Sequence, residues 1–357
     1  MEYISFYLSN FEVGGAQRVV INLASELAQR DLQVDIVVVD RAGPLEKELS
    51  SDVSVVDLKA GRALRSIRPL IKYLNQTEID LLFSSLTYLN DVALFADILS
   101  RSSQKVLISE HNTRINSRWN LPVLGAKLLY KQADYVVAVS NGVAQNLSDW
   151  SSLSIDEIEV VYNPVVTDNL LEQASEQPNH PWYQNRVSPV IISAGRHVEQ
   201  KDFPTLLRAF AEVQKEKEVK LIILGKGPRT AELKSLANEL NISHAVEFPG
   251  FVENPYSYMS HSDLFVMSSA WEGLPTVLIE ALACGTPIVS TDCPSGPAEI
   301  LEEGKYGELV PVDNPNMLAN SIKKALENPP QTQHLLNRAM DFTVDKAVEK
   351  YMDIISV

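Results

Sequence analysis

The feature that most constrains the fold of this chain is a repeated alternation of short apolar runs with helical patterns. In the first half, segments of helix or turn separate seven such runs: YISFYL, VDIVVV, VSVVDL, DLLFSS, KVLISE, DYVVAVS and IEVVYN. Strands that are apolar throughout and alternate with helices are typical of a parallel sheet covered on both faces. The first half therefore predicts a doubly wound α/β domain.

The alternation pauses after Pro164, and a second series begins beyond a polar, turn-rich stretch. Its strand-like runs are PVIISAG, VKLIILG, AVEFPG, DLFVMSS and PIVSTD. With 357 residues, the chain is long enough for two domains of ordinary size. The predicted fold class is α/β, with two doubly wound Rossmann-like domains facing each other across a cleft at the carboxyl ends of their strands. The predicted parts are domains at 1–165 and 189–335, a linker at 166–188, and a helix at 336–357 that packs back on the first domain.

Composition excludes several classes of protein. The apolar content of 45% with 22% charged residues is typical of a packed globular protein. The formal charge of -15 argues against a nucleic-acid partner, because phosphate contacts need clustered Lys and Arg. The two cysteines, Cys284 and Cys293, are interpreted as reduced thiols. The first residues do not resemble a signal peptide, and no run approaches the ~20 apolar residues of a membrane span, so we expect a cytoplasmic protein.

The segment from Glu272 to Glu280 carries the most chemical information. A strand ends near Ser268, a Gly-Leu-Pro turn follows, and a helix begins near Thr276. The free N–H groups of a first helical turn suit a diphosphate, and Glu280 lies one turn in, where it can accept bonds from a ribose diol. Glu272, in the turn, can reach a sugar hydroxyl. A lone glutamate near a helix start is more often an exposed acid favoured by the helix dipole. An unpaired carboxylate within an apolar helix would be costly, which favours the binding interpretation.

Three more loops follow predicted strands. Arg196 and Lys201 supply two cations that can neutralise a pyrophosphate without a metal ion, although each alone would suit a surface ion pair. Gly14-Gly15 and Gly225-Lys226 let backbone approach a ligand closely, but neither has the dinucleotide or P-loop spacing, so tight turns are an equal interpretation. His111 is either a hydrogen-bonding group for a sugar or an ordinary loop histidine. Zinc-ligand spacings are absent from the sequence, so we expect no metal site.

These segments together resemble the glycogen-synthase-like family 4 of retaining glycosyltransferases, which have the two-domain GT-B fold. The resemblance covers nearly the whole chain through Gly-Gly-Ala, Glu-His-Asn, Gly-Arg with Gln-Lys, and Glu-Gly-Leu-Pro-Thr-Val-Leu-Ile-Glu. It implies transfer of a sugar from a nucleotide diphosphate with retention of configuration, and no metal or other cofactor. Residues 1–165 would form the acceptor side, and residues 189–335 would bind the nucleotide sugar.

The resemblance also implies roles for individual residues. His111 and Glu272 would be catalytic-site residues beside the donor sugar, without either being identified as a nucleophile. Arg196 and Lys201 would bind the diphosphate, and Glu280 the ribose. The full set of implied donor-binding residues is Gly14, Gly15, Arg196, Lys201, Gly225, Lys226, Gly250, Phe251, Gly273, Leu274, Pro275, Thr276, Val277 and Glu280.

Two segments depart from the family pattern. Cys-Pro-Ser-Gly-Pro at 293–297 replaces the usual Gly-Gly stretch, and Asn-Pro-Val-Val at 163–166 replaces Asn-Gly-Val-Asp at the hinge. The first variant resembles the branch that builds O-antigen, capsule or other surface glycans. That branch often uses UDP-galactose, UDP-N-acetylgalactosamine or UDP-N-acetylglucosamine, and lipid-linked acceptors. The resemblance thus implies a UDP-sugar donor carrying a hexose or N-acetylhexosamine and a glycan acceptor.

A weak contact with the inner face of the cell membrane is a further expectation. The basic run from Lys59 to Lys72 and the apolar and basic stretch from Arg118 to Lys131 both suit an interface with anionic lipid. Ordinary solvated helix faces explain them about equally well. Two alternatives to glycosyl transfer stay open at this point: a non-catalytic nucleotide-sugar binding protein, and a nucleotide-sugar epimerase of the same fold.

Overall fold

The computed structural model describes residues 2–112 and 128–355, and the chain divides into two compact units. The first unit comprises Met1–Val165 together with Val344–Val357, and the second comprises Val166–Thr343. Residues 166–188, expected to be a linker, contain two short helices and belong to the second unit.

The first unit is built on a parallel sheet of seven strands. Its strands are β1 Tyr3–Leu8, β2 Gln33–Val38, β3 Ser54–Asp57, β4 Leu81–Ser85, β5 Lys105–Glu110, β6 Tyr135–Ala138 and β7 Glu159–Val160. They lie in the order β3-β2-β1-β4-β5-β6-β7, so the direction of winding reverses between β1 and β4. All seven overlap the predicted apolar runs. The central strands are mostly buried and mostly apolar, as strands covered on both faces are, whereas the edge strands β3 and β7 are at most half-buried.

Helices cover both faces of this sheet. They are α1 Gly15–Gln29, α2 Ile67–Gln76, α3 Thr87–Leu99 and α4 Asn141–Trp150, with short 3-10 helices at Pro44–Glu48, Ala63–Ser66, Tyr130–Gln132 and Ile155–Glu157. In α1 the residues Val20, Leu23, Ala24 and Leu27 recur every three to four positions and are buried. That spacing places them on one face of the helix, which packs on β1, β2 and β4.

The second unit repeats this architecture with a parallel sheet of six strands. Its strands are β8 Val190–Ala194, β9 Lys220–Leu224, β10 Val246–Gly250, β11 Leu264–Met267, β12 Ile288–Thr291 and β13 Glu308–Val310. The order β10-β9-β8-β11-β12-β13 reverses between β8 and β11. Its helices are α5 Asp168–Ala174, α6 Pro181–Gln184, α7 Phe203–Gln214, α8 Thr230–Glu239, α9 Pro255–Ser260, α10 Thr276–Ala283, α11 Pro297–Ile300, α12 Pro315–Glu327 and α13 Thr332–Ala339.

The predicted helical tail is interrupted where the chain passes from the second unit to the first. After α13, a 3-10 turn at Met340–Phe342 buries Phe342, whose carbonyl accepts a hydrogen bond of 3.0 Å from the Val166 amide. The last helix, α14 Val344–Ile355, then belongs to the first unit. Within residues 2–112 and 128–355, no helix combines the length and apolar character needed to cross a membrane. Residues 118–127, most of the stretch expected to contact a membrane surface, lie outside the described residues.

Helix α14 completes the apolar core of the first unit. It packs beside α1, and Tyr351 is 4% exposed with its ring edge-on to Phe83 at 5.2 Å between centroids. The cavity between Tyr351, Ile355 and the sheet residues Ile4 and Leu81 is only about 10 Å³, so the helix fits closely. Burial of its ring is the main contribution of Tyr351 to the fold.

We therefore expect Tyr351→Ala to lower the free energy of unfolding of the first unit by about 3–5 kcal/mol, because the cavity left by a large aromatic ring collapses only partly. Urea titration, with the transition of the first unit identified by hydrogen exchange of β1, measures this loss. Lys350→Ala, one residue away and exposed, is the control and should change the stability by about 0.5 kcal/mol at most. Equal losses in both variants would show that α14 is not a structural part of this core.

Candidate active site

The sequence motifs of the second unit meet at the point where its strand order reverses. Strands β8 and β11 are neighbours there, and their carboxyl ends lead into the loops 195–202 and 268–275. In parallel α/β sheets, this switch point leaves a crevice in which ligands bind.

Hydrogen bonds join the two loops directly. The Ala270 amide donates to the Gln200 carbonyl at 2.8 Å, and the Ser268 hydroxyl donates to the Lys201 carbonyl at 2.9 Å. The Gln200 side-chain amide donates to the Trp271 carbonyl at 2.9 Å. Because main-chain groups of both loops take part, the position of one loop determines that of the other.

Glu272 and Lys201 form a buried ion pair at this junction. Lys201 Nζ lies 2.6 Å from Glu272 Oε1, and the two side chains are 16% and 8% exposed. Gln200 Nε2 donates to the other carboxylate oxygen, Glu272 Oε2, at 3.2 Å. Two donors from a single turn thus hold the carboxylate in one orientation, which a buried charge requires to be tolerated. Gln200 was not among the predicted site residues, although it stands beside Lys201 in the Gln-Lys pair of the motif.

Glycines let the loops after neighbouring strands pack backbone against backbone. Gly225, after β9, has φ of +105°, and a Cβ there would lie 2.1 Å from the Gly195 carbonyl oxygen. A Cβ on Gly195 would lie 3.1 Å from Lys201 Cε, so its absence leaves room for the lysine stem. The Gly225 amide in turn donates to the Gly250 carbonyl at 2.8 Å. Glycine at 225 is therefore required by the fold, whether or not a ligand binds there.

A further loop, at residues 293–296, supports the turn that precedes helix α10. Ser295 and Gly296 both have positive φ, +70° and +95°, and Ser295 Oγ donates to the Gly273 carbonyl at 2.8 Å. A Cβ at Gly296 would lie 2.4 Å from Pro275 Cδ. Because two consecutive residues are left-handed, the Gly-Gly stretch that is usual in the family would suit this loop. The serine accepts the strained conformation and gains a bond to the turn.

Helix α10 begins at this turn with an open amino end. Pro275 is its N-cap and provides no side-chain cap, so the first amides lack the usual side-chain acceptor. Thr276, Val277 and Glu280 are half-buried, whereas the other α10 residues from Leu278 to Ala283 are buried. The helix therefore presents its first turn and the Glu280 carboxylate on one accessible side. Free amides at a helix start favour an anion.

The remaining predicted residues of this unit surround the same edge with accessible side chains. Arg196 and Lys226 are exposed, and within the described residues Arg196 forms no ion pair. Phe251 is 52% exposed directly after β10, and Gly250 has φ of +87° with open space where a Cβ would lie. These groups are free to meet a ligand.

In the first unit, Gly14 and Gly15 lie where β1 leads into α1. Gly14 is the N-cap of α1 with extended backbone, at φ of -167°, a conformation that any residue adopts. A Cβ at Gly14 would approach only the side chain of Gln17, 2.3 Å from its Oε1. Since that side chain can move away, the fold does not require glycine at 14, and the tight-turn explanation loses support.

His111 follows β5 in the first unit and is 8% exposed. Its Nε2 lies 2.8 Å from Ser85 Oγ and 3.3 Å from Ser109 Oγ, and burial lowers the pKa of His111 to about 4. The ring is therefore neutral at physiological pH. With Nε2 engaged by hydroxyls, a bond to a ligand would use Nδ1.

Glu110, next to His111, is a buried acid that sequence reasoning missed. Its carboxylate accepts hydrogen bonds from Thr87 Oγ1 at 2.6 Å, from Asn90 Nδ2 at 3.3 Å and from the Tyr130 hydroxyl. These donors come from α3 and from the segment before β6. Glu110 thus fixes the loop that carries His111, and the motif Glu-His-Asn was the signal that could have found it.

We expect the Lys201–Glu272 pair to show strong coupling in a double-mutant cycle. Lys201→Met alone leaves a buried carboxylate without its cation and should cost about 3–5 kcal/mol of stability in the second unit. Adding Glu272→Gln removes that charge, so the double variant should recover at least about 1 kcal/mol relative to additivity. Urea unfolding of the four proteins measures the coupling, and additive losses would show that the pair is not a buried unit.

The neutral state of His111 is directly measurable. The pKa of His111 in the folded protein lies below the ordinary value of about 6.5. Its imidazole should therefore stay neutral as pH falls and become protonated only near pH 4. The wild type should therefore lose stability relative to His111→Gln as pH falls from about 6.5 towards 4. Nitrogen-15 NMR titration, with the His111 signal identified by its loss in His111→Gln, measures the midpoint. A midpoint near 6.5 would contradict the buried geometry.

Two protein-family models match the chain, one for each unit. The model described as Glycosyltransferase Family 4 matches residues 13–169, and that described as Glycosyl transferases group 1 matches residues 179–341. Sequence relatives extend over nearly the full length. The N-acetylgalactosamine-N,N'-diacetylbacillosaminyl-diphospho-undecaprenol 4-alpha-N-acetylgalactosaminyltransferase of Campylobacter jejuni is 29% identical, over 98% of this chain and 96% of that protein. The lipopolysaccharide 1,6-galactosyltransferase of Escherichia coli K12 is 24% identical, over 83% and 81%.

Solved structures share the complete fold. Anabaena HepE in complex with UDP aligns with a TM-score of 0.82 at 22% identity, over 100% of both chains. The lipopolysaccharide outer core galactosyltransferase WaaB aligns with a TM-score of 0.75 at 19% identity, over 99% of both chains. The two doubly wound sheets and the motif residues at their carboxyl edges agree with the matches to both family models. The chain therefore belongs to family 4 of the glycosyltransferases and has the GT-B fold.

Proposed function

We propose that the protein is a retaining, metal-independent glycosyltransferase that moves a hexose or N-acetylhexosamine from a UDP-sugar to a lipid-linked glycan acceptor in surface polysaccharide biosynthesis. The observation that carries the proposal is the Lys201–Glu272 pair, held between two loops at the switch point beside the open start of α10. This arrangement would offer charged groups and helix amides to a nucleotide diphosphate, which supports the proposal.

Sugar transfer needs positive charge beside the leaving diphosphate, which becomes more negative during the reaction. As the bond between the sugar C1 and the diphosphate oxygen breaks, its electron pair passes to UDP. The acceptor hydroxyl oxygen forms the new bond to C1, and its proton would pass to the departing diphosphate oxygen. Arg196, Lys201 and the amides of Thr276 and Val277 would stabilise the charge that develops on the diphosphate. Lys201, held by Glu272, and the exposed Arg196 would together provide the positive charge that a metal ion supplies elsewhere, which is why we propose metal independence.

The other residues would orient the donor. Glu272, fixed by Gln200 and Lys201, would accept a hydrogen bond from a hydroxyl of the transferred sugar. Glu280 would bind the ribose, and the exposed Phe251 ring would lie along the base. The neutral His111 would bond a donor hydroxyl without adding charge beside an oxocarbenium-like transition state.

The relatives support the proposed substrates. HepE has been crystallised with UDP and with UDP-glucose, which supports a UDP-sugar donor. The name of the Campylobacter jejuni relative specifies a diphospho-undecaprenol acceptor and transfer of N-acetylgalactosamine. Other relatives act in lipopolysaccharide and amylovoran biosynthesis. The diphospho-undecaprenol in the first of these names supports a lipid-linked glycan as the acceptor of this chain.

We expect UDP release from at least one of UDP-galactose, UDP-N-acetylgalactosamine, UDP-N-acetylglucosamine and UDP-glucose, stimulated by a polyprenyl-diphosphate sugar and unchanged in EDTA. Glu272→Gln should lower kcat about 100-fold, because the transition state loses a charged acceptor that is held in place beside the transferred sugar. Glu280→Gln should instead raise KM for the donor about tenfold, as one charged hydrogen bond is lost. Glu218→Gln, an exposed acid just before β9, is the matched control.

The anomeric configuration of the product, read by NMR, tests retention. A β-linked product from an α-configured donor would overturn the retaining mechanism. Loss of transfer in EDTA with recovery in Mn²⁺ would overturn metal independence. Donor binding without product for any acceptor would favour a non-catalytic binder, and conversion of one UDP-sugar into another would favour an epimerase.

A further inference from the structure

The loop between β8 and α7 carries two cations, and only one of them is held by an ion pair. Lys201 is held by Glu272. Arg196 is exposed and forms no ion pair within the described residues, so the loop backbone on either side of it sets where its side chain begins. The next residue, His197, is 0% exposed. An exposed cation thus stands directly beside a fully buried polar side chain.

The backbone of His197 lies against the loop that follows β9. Its amide donates to the Lys226 carbonyl at 3.2 Å, and its carbonyl accepts a hydrogen bond of 3.1 Å from the Arg229 amide. A Cβ on Gly227 would lie 2.5 Å from the His197 carbonyl oxygen and 2.7 Å from its amide nitrogen, so only glycine permits this approach. The loops that carry Arg196 and Lys226 are therefore joined at His197.

The His197 ring extends this junction to the helices that follow both loops. Its Nδ1 lies 2.8 Å from Thr230 Oγ1, at the first residue of α8. The same hydroxyl oxygen accepts a hydrogen bond of 3.1 Å from the Gly227 amide. The ring is also edge-on to Phe203, the first residue of α7, and to Phe248 in β10, at 5.3 Å and 5.9 Å between centroids. One side chain thus contacts the starts of two helices and a strand.

Burial determines what His197 can do. A side chain without accessible surface does not touch a ligand, so it acts only through the groups that it holds. Burial also lowers the pKa of His197, because a charged ring would lose its hydration there. The ring therefore adds no cation to the site. The groups beside the junction that a ligand can reach are Arg196 and Lys226, both exposed.

We propose that His197 is a positioning residue for the nucleotide diphosphate: by joining the two loops, it sets the place of the Arg196 guanidinium relative to Lys226. Cations on loops after different strands can bind one pyrophosphate together only if the spacing of the loops is fixed. The inference rests on the proposed function, since it takes the diphosphate of a UDP-sugar as the ligand. It adds a residue that acts on that ligand without contacting it.

Binding of UDP and of uridine by the full chain separates positioning from general damage, because uridine lacks the phosphates. His197→Phe keeps a ring of similar size and removes the ring nitrogens. It should weaken UDP binding about tenfold by calorimetry, as expected for the loss of one charged hydrogen bond, and leave uridine binding by ligand-observed NMR unchanged. Thr230→Val, which removes the hydroxyl and keeps the shape, should act in the same way. Thr230→Ser restores the hydroxyl and should restore UDP binding.

A double-mutant cycle identifies the group through which His197 acts. Arg196→Gln alone should weaken UDP binding about tenfold. Because His197 acts by placing Arg196, adding His197→Phe should cause little further loss, whereas independent effects would multiply to about 100-fold. Ile322→Val, in α12 of the same apolar core, is the control for lost packing and should bind both ligands as the wild type does.

The possible failures are distinguishable. Wild-type affinity for UDP in both His197→Phe and Thr230→Val would overturn the positioning role and leave the proposed function intact. Equal weakening of uridine and UDP, or a 100-fold loss in the double variant, would contradict action through Arg196. A wild type that binds UDP no better than uridine would overturn the proposed function and this role together.

Discussion

The ion pair between Lys201 and Glu272 is the interaction on which the site of the second unit depends. A carboxylate that is 8% exposed is costly to bury without a partner, and the partner of Glu272 comes from a loop 71 residues earlier in the chain. The pair forms only because β8 and β11 are neighbours in the sheet, so that the loops after them meet. Several other features hold these two loops in place. They are the glycines at 195 and 225, the hydrogen bonds from Gln200, and the hydrogen bond from Ser295 to the turn before α10.

The two units place different chemistry at equivalent edges. In the second unit, the switch point between β8 and β11 carries fixed ionic groups and the open end of α10. In the first, the edge near β4 and β5 carries a histidine kept neutral by burial, next to the hydroxyl of Ser85. Leu86, between β4 and α3, has φ of +87°, a strained conformation for a non-glycine residue. Fixed ionic groups and neutral hydrogen-bonding groups are thus supplied by separate sheets.

Much of the fold could be predicted from the sequence, because parallel strands in the middle of a covered sheet need mostly apolar residues. All seven strands of the first unit overlap such runs, including the partly exposed edge strands β3 and β7. The helix start in the Glu272–Glu280 segment could also be predicted, because a strand, a turn and a helix follow one another directly and fix where the helix begins. Gln200 could not be assigned, because its role depends on a side-chain bond across two loops. The left-handed conformation of Ser295 is likewise a property of the folded chain.

The return of α14 to the first unit has a consequence for synthesis. The seven strands of that unit are complete by residue 160, but part of the apolar surface around Ile4, Leu81 and Phe83 is covered by α14, which the ribosome adds after the second unit. The nascent first unit must therefore wait, with this surface open, while the entire second unit is translated. A chain that stops before Val344 would keep that surface exposed, which makes termination before α14 a route to aggregation and to recognition by chaperones.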